Sequence, residues 1–192
     1  MKERDFIYNK KETLEKLKNA IFENKVDEEI IPILNLINSN NNYYTSSSCY
    51  GRIVLLELPK IGDKKNAKFL GKWHRKIDSK ELEESLKDAE KGELWFLAQA
   101  PIIHVHSKDL DSGDELVKKA VLCGFKNSGF RSIKKNIVIE LSSTERIDMP
   151  IGNNGEYFFK KDFTKILVEF ANEVIEKSIK KLKKFEKLLS DK

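Results

Sequence analysis

The stretch LWFLAQAPIIHVH, residues 94–106, indicates the fold class most directly. Leu94–Ala98 is a short apolar run of strand length. In Ile102–His106, apolar Ile103 and Val105 alternate with two histidines, as they do in a half-buried strand. The sequence therefore predicts two β-strands near the middle of the chain.

Further strands and helices lie on both sides, without a strict alternation of strand and helix. Strands are predicted at about 43–45, 52–58, 69–75, 131–141 and 145–150, and helices at about 8–24, 28–39, 79–89, 111–123 and 161–189. We expect an α+β fold, a single compact domain over residues 1–192 with a mixed β-sheet flanked by helices. No GxGxxG follows a strand, so an ordinary Rossmann fold is not expected.

Three residues are predicted to begin or end helices. Asp27 precedes the second helix and is expected to cap it. Asp78, with Glu81 three residues later, predicts a capping box at the start of the third helix. Gly124 follows the fourth helix and is predicted to be its C′ residue.

Charge and cysteine content narrow the class of protein. The 192 residues carry a net charge of +5, and residues 160–192 hold ten Lys against six acidic residues, which accounts for four of the five. The final helix therefore has either a solvated basic face or one that contacts phosphates. Apolar runs are too short to span a membrane, no signal peptide is expected, and two cysteines exclude a disulfide scaffold. We expect a cytoplasmic protein.

Two polar segments are candidates for ligand contact. TSSSCYGR, residues 45–52, is either a polar turn between strands or a loop that offers N–H groups and hydroxyls to a phosphate, carboxylate or ribose. CGFKNSGFR, residues 123–131, has two glycines five residues apart around an Asn-Ser pair, which fits a binding loop or an ordinary turn after a helix. Arg52 adds a fork of donors.

The histidine pair HVH, residues 104–106, supplies two metal ligands at most, so no metal site is expected. A packing or hydrogen-bonding role for one of the two is the better interpretation. The residues by themselves leave open a small-molecule enzyme and an RNA-acting protein.

Four motifs, in order, give a more specific indication. YYTSSSCYGRI (43–53), WHRK (73–76), PIIHVHSKDL (101–110) and KAVLCGFKNSGF (119–130) resemble the motifs of the tRNA wybutosine-synthesizing protein 3 family. The resemblance covers roughly residues 3–190. Tyr50 stands where that family usually has a small residue.

The resemblance implies an enzyme that methylates tRNA(Phe) in wybutosine biosynthesis. The methyl group would come from S-adenosyl-L-methionine and go to the N4 nitrogen of a 4-demethylwyosine-type base at position 37, beside the anticodon. A non-catalytic RNA-binding module and an enzyme acting on a small metabolite are the alternatives. Neither a membrane nor a metal is an implied partner.

The resemblance also implies roles for particular residues. His104 is the first choice for the proton acceptor, His74 the second and His106 the third. Cofactor contacts are expected from Ser47, Ser48, Gly51, Arg52, Asn127, Ser128 and Gly129. Contacts to the base or the RNA are expected from Tyr50, Trp73, Phe130, Arg131, Lys180, Lys181 and Lys184.

Overall fold

The computed structural model describes residues 3–160 and 162–191. The helices in chain order are α1 (Glu3–Phe22), α2 (Ile31–Ser39), α3 (Ser79–Leu86), α4 (Leu110–Leu122) and α5 (Phe163–Ser190). The strands are β1 (Tyr43–Cys49), β2 (Arg52–Leu58), β3 (Lys68–Trp73), β4 (Glu93–Gln99), β5 (Ile102–Ser107), β6 (Gly129–Ile133), β7 (Ile137–Ser142), β8 (Arg146–Asn153) and β9 (Glu156–Tyr157). The predicted α+β class and the basic C-terminal helix are confirmed.

The chain forms two compact units. The first takes its residues from the segments up to Tyr50, from Pro101–Thr144 and from Ile179 onward, and the second comprises Gly51–Ala100 and Glu145–Ser178. The organisation of residues 1–192 as one domain stays a prediction.

The first unit is built on a four-stranded sheet in the order β1-β5-β7-β6. On one face, residues of β1, β5 and β7 form a buried cluster with residues of α2, α4 and the end of α5. On the other face lies α1, whose buried Phe6 contacts Tyr44 of β1. Apolar residues alternate along β5, with Ile103 and Val105 in the cluster, as the sequence pattern predicts.

The second unit is built on a five-stranded sheet in the order β3-β2-β4-β8-β9. Leu94, Phe96 and Ala98 of β4 are buried on one face, while the residues between them are half-exposed on the other. The helix α3 lies against β2 and β3. Its capping box is present as predicted, with the Asp78 carboxylate accepting from the Glu81 N–H.

The sheets differ from the single mixed sheet expected from the sequence. Every pair of neighbouring strands in both sheets is antiparallel. The reason is that α4, which follows β5, leads to β6 at the edge of an antiparallel set instead of to a parallel neighbour of β5. The strand expected over 131–141 is a hairpin of β6 and β7.

Two local predictions are also corrected. The expected polar turn SSSC is part of β1, because β5 supplies backbone partners that outweigh the weak strand preference of serine. Asp27 directly precedes a short 3-10 helix, Glu28–Ile30, that leads into α2, but its carboxylate accepts the backbone N–H of Tyr50 and makes no cap hydrogen bond. No helix in the described part of the chain combines the length and apolar character required to cross a bilayer.

Candidate active site

A row of three polar side chains crosses the first sheet. Ser47 on β1 lies directly opposite His104 on β5, and His104 lies directly opposite Glu140 on β7. Residues opposite each other on antiparallel strands share one face of the sheet, so the three side chains line up. We call Ser47, His104 and Glu140 the histidine row. The buried Ile103 and Val105 alternate with His104 and leave it on the face away from the cluster.

Hydrogen bonds connect the members of the histidine row. His104 Nε2 lies 3.1 Å from Glu140 Oε2, and His104 Nδ1 lies 2.8 Å from the Ser47 hydroxyl. Arg131 donates a hydrogen bond to Glu140 and is the main reason that the pKa of this carboxyl is lowered, against the opposing effect of burial. A carboxylate only accepts, so Nε2 of the neutral imidazole carries the hydrogen and Nδ1 accepts from Ser47.

A hydroxyl that is hydrogen-bonded to an imidazole can pass a proton to it, and a carboxylate on the other ring nitrogen stabilises the imidazolium that forms. The side chain of Glu140 is only 12% exposed, whereas Ser47 is exposed at the other end of the row. Both ring nitrogens of His104 are already engaged, so the exposed Ser47 hydroxyl is the group of the row that a ligand can reach. The sequence predicts His104 as the proton acceptor and Ser47 as a cofactor contact, and it gives no indication of Glu140.

His106, two residues further along β5, has a packing role. Its ring stacks on Tyr44 at a centroid distance of 4.5 Å and an interplanar angle of 11°. Its Nδ1 is buried without a hydrogen-bond partner in the described part of the chain, and burial lowers its pKa, with a smaller contribution from His104. The interpretation that one histidine of the pair packs is therefore confirmed.

A second row of polar side chains crosses the second sheet. Arg52 on β2 lies opposite Gln99 on β4, which lies opposite Arg146 on β8. We call Arg52, Gln99 and Arg146 the arginine row. Arg52 Nε donates to Gln99 Oε1 at 2.9 Å, and Arg146 pairs with Asp148. Arg52 and Arg146 are two of the five arginines of the chain, and of the row only Arg52 is predicted from the sequence to contact a ligand.

The arginine row borders a groove of about 340 Å³ on the half-exposed face of the second sheet. We call it the sheet groove. It is lined by Arg52, Val54, Leu56, Leu58, Ile61, Gly62, Ala67, Phe69, Trp95, Leu97, Gln99, Arg146 and Asp148. The lining is mainly apolar, with charged and amide groups contributed by the arginine row and Asp148. The sequence feature that could have indicated this groove is the continuous apolar run of β4, because it places apolar residues on both faces of the strand.

The remaining cofactor candidates belong to local structures. Gly51 has a φ of 100°, a left-handed conformation that favours glycine, at the end of the serine segment. Ser48 is half-buried on β1, opposite Ile103.

The segment Asn127–Gly129 joins α4 to β6 and is fastened to Ser142 of β7. The Ser142 N–H donates to the Ser128 hydroxyl at 3.1 Å, and the Asn127 N–H donates to the Ser142 carbonyl at 3.1 Å. The side chain of Asn127 is exposed, and a Cβ added at Gly129 would meet no atom within 4 Å. The segment thus borders open space.

Gly124 ends α4 as predicted. Its φ is 101°, and the Phe125 N–H donates to the Ala120 carbonyl at 3.0 Å, which is the Schellman arrangement. Two of the predicted RNA-contacting lysines lie here. A Cβ on Gly124 would be 2.9 Å from the Lys181 side chain, and Lys184 Nζ donates to the Leu122 carbonyl at 3.1 Å. Both lysines therefore also cover the end of α4. Lys180 is exposed.

The aromatic residues predicted to contact the base, and His74, do not belong to either row. Tyr50 packs half-buried against the apolar cluster of the first unit. Phe130 is 38% exposed and lies over Gly113 of α4. Trp73 ends β3 with its ring over Gly71 of the same strand, and the half-buried His74 follows it.

Comparison with solved structures identifies the class of fold. A structure from Pyrococcus horikoshii superposes with a TM-score of 0.93 at 45% identity, covering 97% of each chain. A protein from Aeropyrum pernix superposes with a TM-score of 0.73 at 27% identity, covering 85% of this chain and 98% of its own. The chain shares this α+β fold, with two antiparallel sheets.

The chain belongs to the methyltransferase TYW3 family, whose model matches residues 8–191. It is therefore an enzyme that transfers a methyl group, and the resemblance found in the sequence is confirmed. A relative from Pyrococcus horikoshii, named tRNA(Phe) 7-((3-amino-3-carboxypropyl)-4-demethylwyosine(37)-N(4))-methyltransferase 1, is 47% identical over 92% of this chain and 91% of its own. A relative from Methanocaldococcus jannaschii with the same name, without the final number, is 40% identical over 90% and 91%.

Proposed function

We propose that this enzyme methylates N4 of a 4-demethylwyosine-type base at position 37 of tRNA(Phe), in wybutosine biosynthesis. The observation that carries the proposal is the 47% identity, over nearly the whole chain, to a relative named for that reaction. The substrate would place the reaction in the cytoplasm, and the modified base would bring the anticodon region to the enzyme.

S-adenosyl-L-methionine is the proposed methyl donor, and it supplies an electrophilic methyl group when bound. Its carboxylate, ammonium and ribose groups require polar partners, and its adenine requires space. The exposed Asn127 amide and the open space beside Gly129 fit these requirements. Ser48 stays a predicted cofactor contact. The hydroxyl of Ser128 is bonded to β7, so its part in the site is to fix the Asn127–Gly129 segment.

The histidine row is proposed to remove the proton that N4 loses when it is methylated. Ser47 accepts that proton and passes its own to His104 Nδ1, and Glu140 stabilises the imidazolium that results. Arg131 holds Glu140 in its ionised form. The base exchanges its N–H bond for an N–C bond, while the bond between the methyl carbon and the sulfur of the donor would break and leave a neutral thioether. The proton remains on His104 until it is released to solvent. His104 thus keeps the base role, with Ser47 as its contact to the substrate.

The RNA backbone is proposed to meet the basic end of α5, at Lys180, Lys181 and Lys184. Phosphate contacts of this kind supply affinity without reading the sequence. Lys181 and Lys184 would combine this role with covering the end of α4.

The decisive experiment is incubation of the full chain with hypomodified tRNA(Phe) and S-adenosylmethionine labelled in its methyl group, followed by nucleoside mass spectrometry. We expect one labelled methyl group on N4 of the modified base. tRNA binding without label would identify a binding module, and equal labelling of the free nucleoside would identify a small-metabolite enzyme. Either result would overturn the proposal.

A further inference from the structure

The sheet groove has the apolar surface of a binding site for a flat ring. Trp95 and Leu97 of β4 are half-exposed there, although their neighbours Leu94 and Phe96 are buried on the other face. Phe69, at 55% exposure, stands in the same groove. Apolar side chains on an open sheet face are costly to hydrate unless a ligand covers them, and a volume of about 340 Å³ lies in the range of small-ligand sites.

The arginine row supplies polar groups that the protein itself does not use. Arg52 donates a hydrogen bond to Gln99 through Nε only. Its two terminal nitrogens have no hydrogen bond to any residue that the structure describes. The amide nitrogen of Gln99 is likewise without a partner within residues 3–160 and 162–191. Asp148 pairs with Arg146 through Oδ2, and its Oδ1 has no partner in the same part of the chain. Donors for a carboxylate and an acceptor for an ammonium therefore line the same groove.

Resting on the proposed function, we propose that the sheet groove binds the methyl-acceptor base and recognises its 3-amino-3-carboxypropyl side chain. The apolar lining, with Trp95, takes the tricyclic ring by stacking and apolar contact. Arg52 and Gln99 bind the carboxylate of the side chain, and Asp148 binds its ammonium group. Under this proposal Arg52 contacts the acceptor, where the family resemblance suggested the cofactor.

The charge of the groove favours the acceptor over the methyl donor, which also ends in an amino acid group. Two arginines and one aspartate line the groove, so its fixed charge is positive. S-adenosylmethionine carries a sulfonium in addition to its zwitterion and is itself a cation. The acceptor side chain is a neutral zwitterion on a polyanionic RNA, which a positive rim attracts.

The test compares two anticodon stem–loop RNAs of tRNA(Phe), whose 4-demethylwyosine either carries or lacks the 3-amino-3-carboxypropyl group. We expect the full chain to bind the RNA with the side chain at least about tenfold more tightly, the value of a charged hydrogen-bonded contact. Arg52→Lys keeps the charge but loses the planar fork, and it should reduce this ratio about fivefold or more. Asp148→Asn should reduce the affinity ratio similarly. Trp95→Leu should weaken the binding of both RNAs equally and so leave the ratio unchanged.

The control is Lys91→Gln, which removes one exposed positive charge of the same unit outside the groove and should leave the ratio unchanged. A wild-type ratio near one, or a ratio that Arg52→Lys and Asp148→Asn leave intact, would overturn the proposal. So would calorimetry in which these variants lose S-adenosylmethionine affinity instead, or sedimentation in which Trp95→Leu dissociates a dimer. Methyl transfer is measured separately. If the enzyme discriminates between the two RNAs but methylates neither, the proposed function is wrong, whereas the proposal that the sheet groove binds the side chain stands.

Discussion

The histidine row and the arginine row are built in the same way and differ in what they leave unbonded. Each consists of three residues that face one another across three antiparallel strands. In the histidine row, both imidazole nitrogens are engaged by the neighbouring residues of the row. In the arginine row, guanidinium and amide donors remain without partners in the described residues. A fixed chain of hydrogen bonds suits proton transfer, and unused donors suit ligand recognition.

The largest effect is expected from breaking the histidine row. His104→Ala and Ser47→Ala should each slow methyl transfer by roughly 10²-fold to 10⁴-fold, the usual value of general base catalysis. S-adenosylmethionine affinity should stay nearly intact, because neither side chain is a cofactor contact in the proposed mechanism. Single-turnover rates with hypomodified tRNA(Phe) measure the first quantity and calorimetry measures the second.

Arg52→Lys, a substitution in the arginine row, is the control for the two substitutions in the histidine row. It should lower RNA affinity through the arginine row, and at saturating RNA its single-turnover rate should fall far less than that of His104→Ala. An unchanged rate in both His104→Ala and Ser47→Ala would remove the histidine row from the chemistry.

The two faces of β4 provide the next test, since the arginine row and the apolar core share this strand. Phe96 is completely buried, so Phe96→Ala should lower the free energy of unfolding by about 3–5 kcal/mol. Leu97 lines the sheet groove and is half-exposed, so Leu97→Ala should cost clearly less. Urea denaturation of both variants measures the difference. Equal losses would mean that the groove face is part of the core and is not available to a ligand.

How well the sequence predicts a feature depends on how far apart along the chain its interacting residues lie. The capping box at Asp78 and the Schellman end at Gly124 are predicted correctly, because all their partners lie within a few residues. The row that joins Ser47 to His104 spans 57 residues and depends on strand pairing, which local patterns do not specify. A bulge between Thr45 and Ser47 further shifts the register, so counting along the strand would have misaligned the row.

Glu140 and Asp148 were missed for the same reason. Each is one acidic residue among 31, with no local pattern that marks it. Each is distinguished only by the side chain that it contacts, His104 for Glu140 and Arg146 for Asp148. Arg52 could be singled out because it lies at the end of the serine segment and is one of only five arginines among 36 basic residues.

A smaller effect is expected from the charged end of the histidine row. Glu140→Gln keeps an oxygen that accepts from His104 Nε2 but removes the charge that stabilises the imidazolium. The single-turnover rate should fall by about tenfold or more, less than for His104→Ala, with RNA and cofactor affinities unchanged. A rate equal to wild type would show that His104 acts without its carboxylate partner.

The smallest effect concerns His106, which adjoins the histidine row but is expected to be structural. Burial lowers its pKa from the ordinary value of 6.5, so below about pH 6.5 the unfolded chain binds a proton that the folded chain resists. The free energy of unfolding should therefore decrease as the pH falls from about 6.5 toward the lower folded pKa, and above that range His106 should contribute no slope. His106→Phe preserves the stacking on Tyr44 and removes the titration. Denaturation of both proteins from about pH 7.5 to about pH 5 should show a shallower decline in the variant, with methyl transfer near neutral pH preserved. Identical slopes would contradict the structural role, and a lost methylation rate would move His106 into the chemistry beside His104.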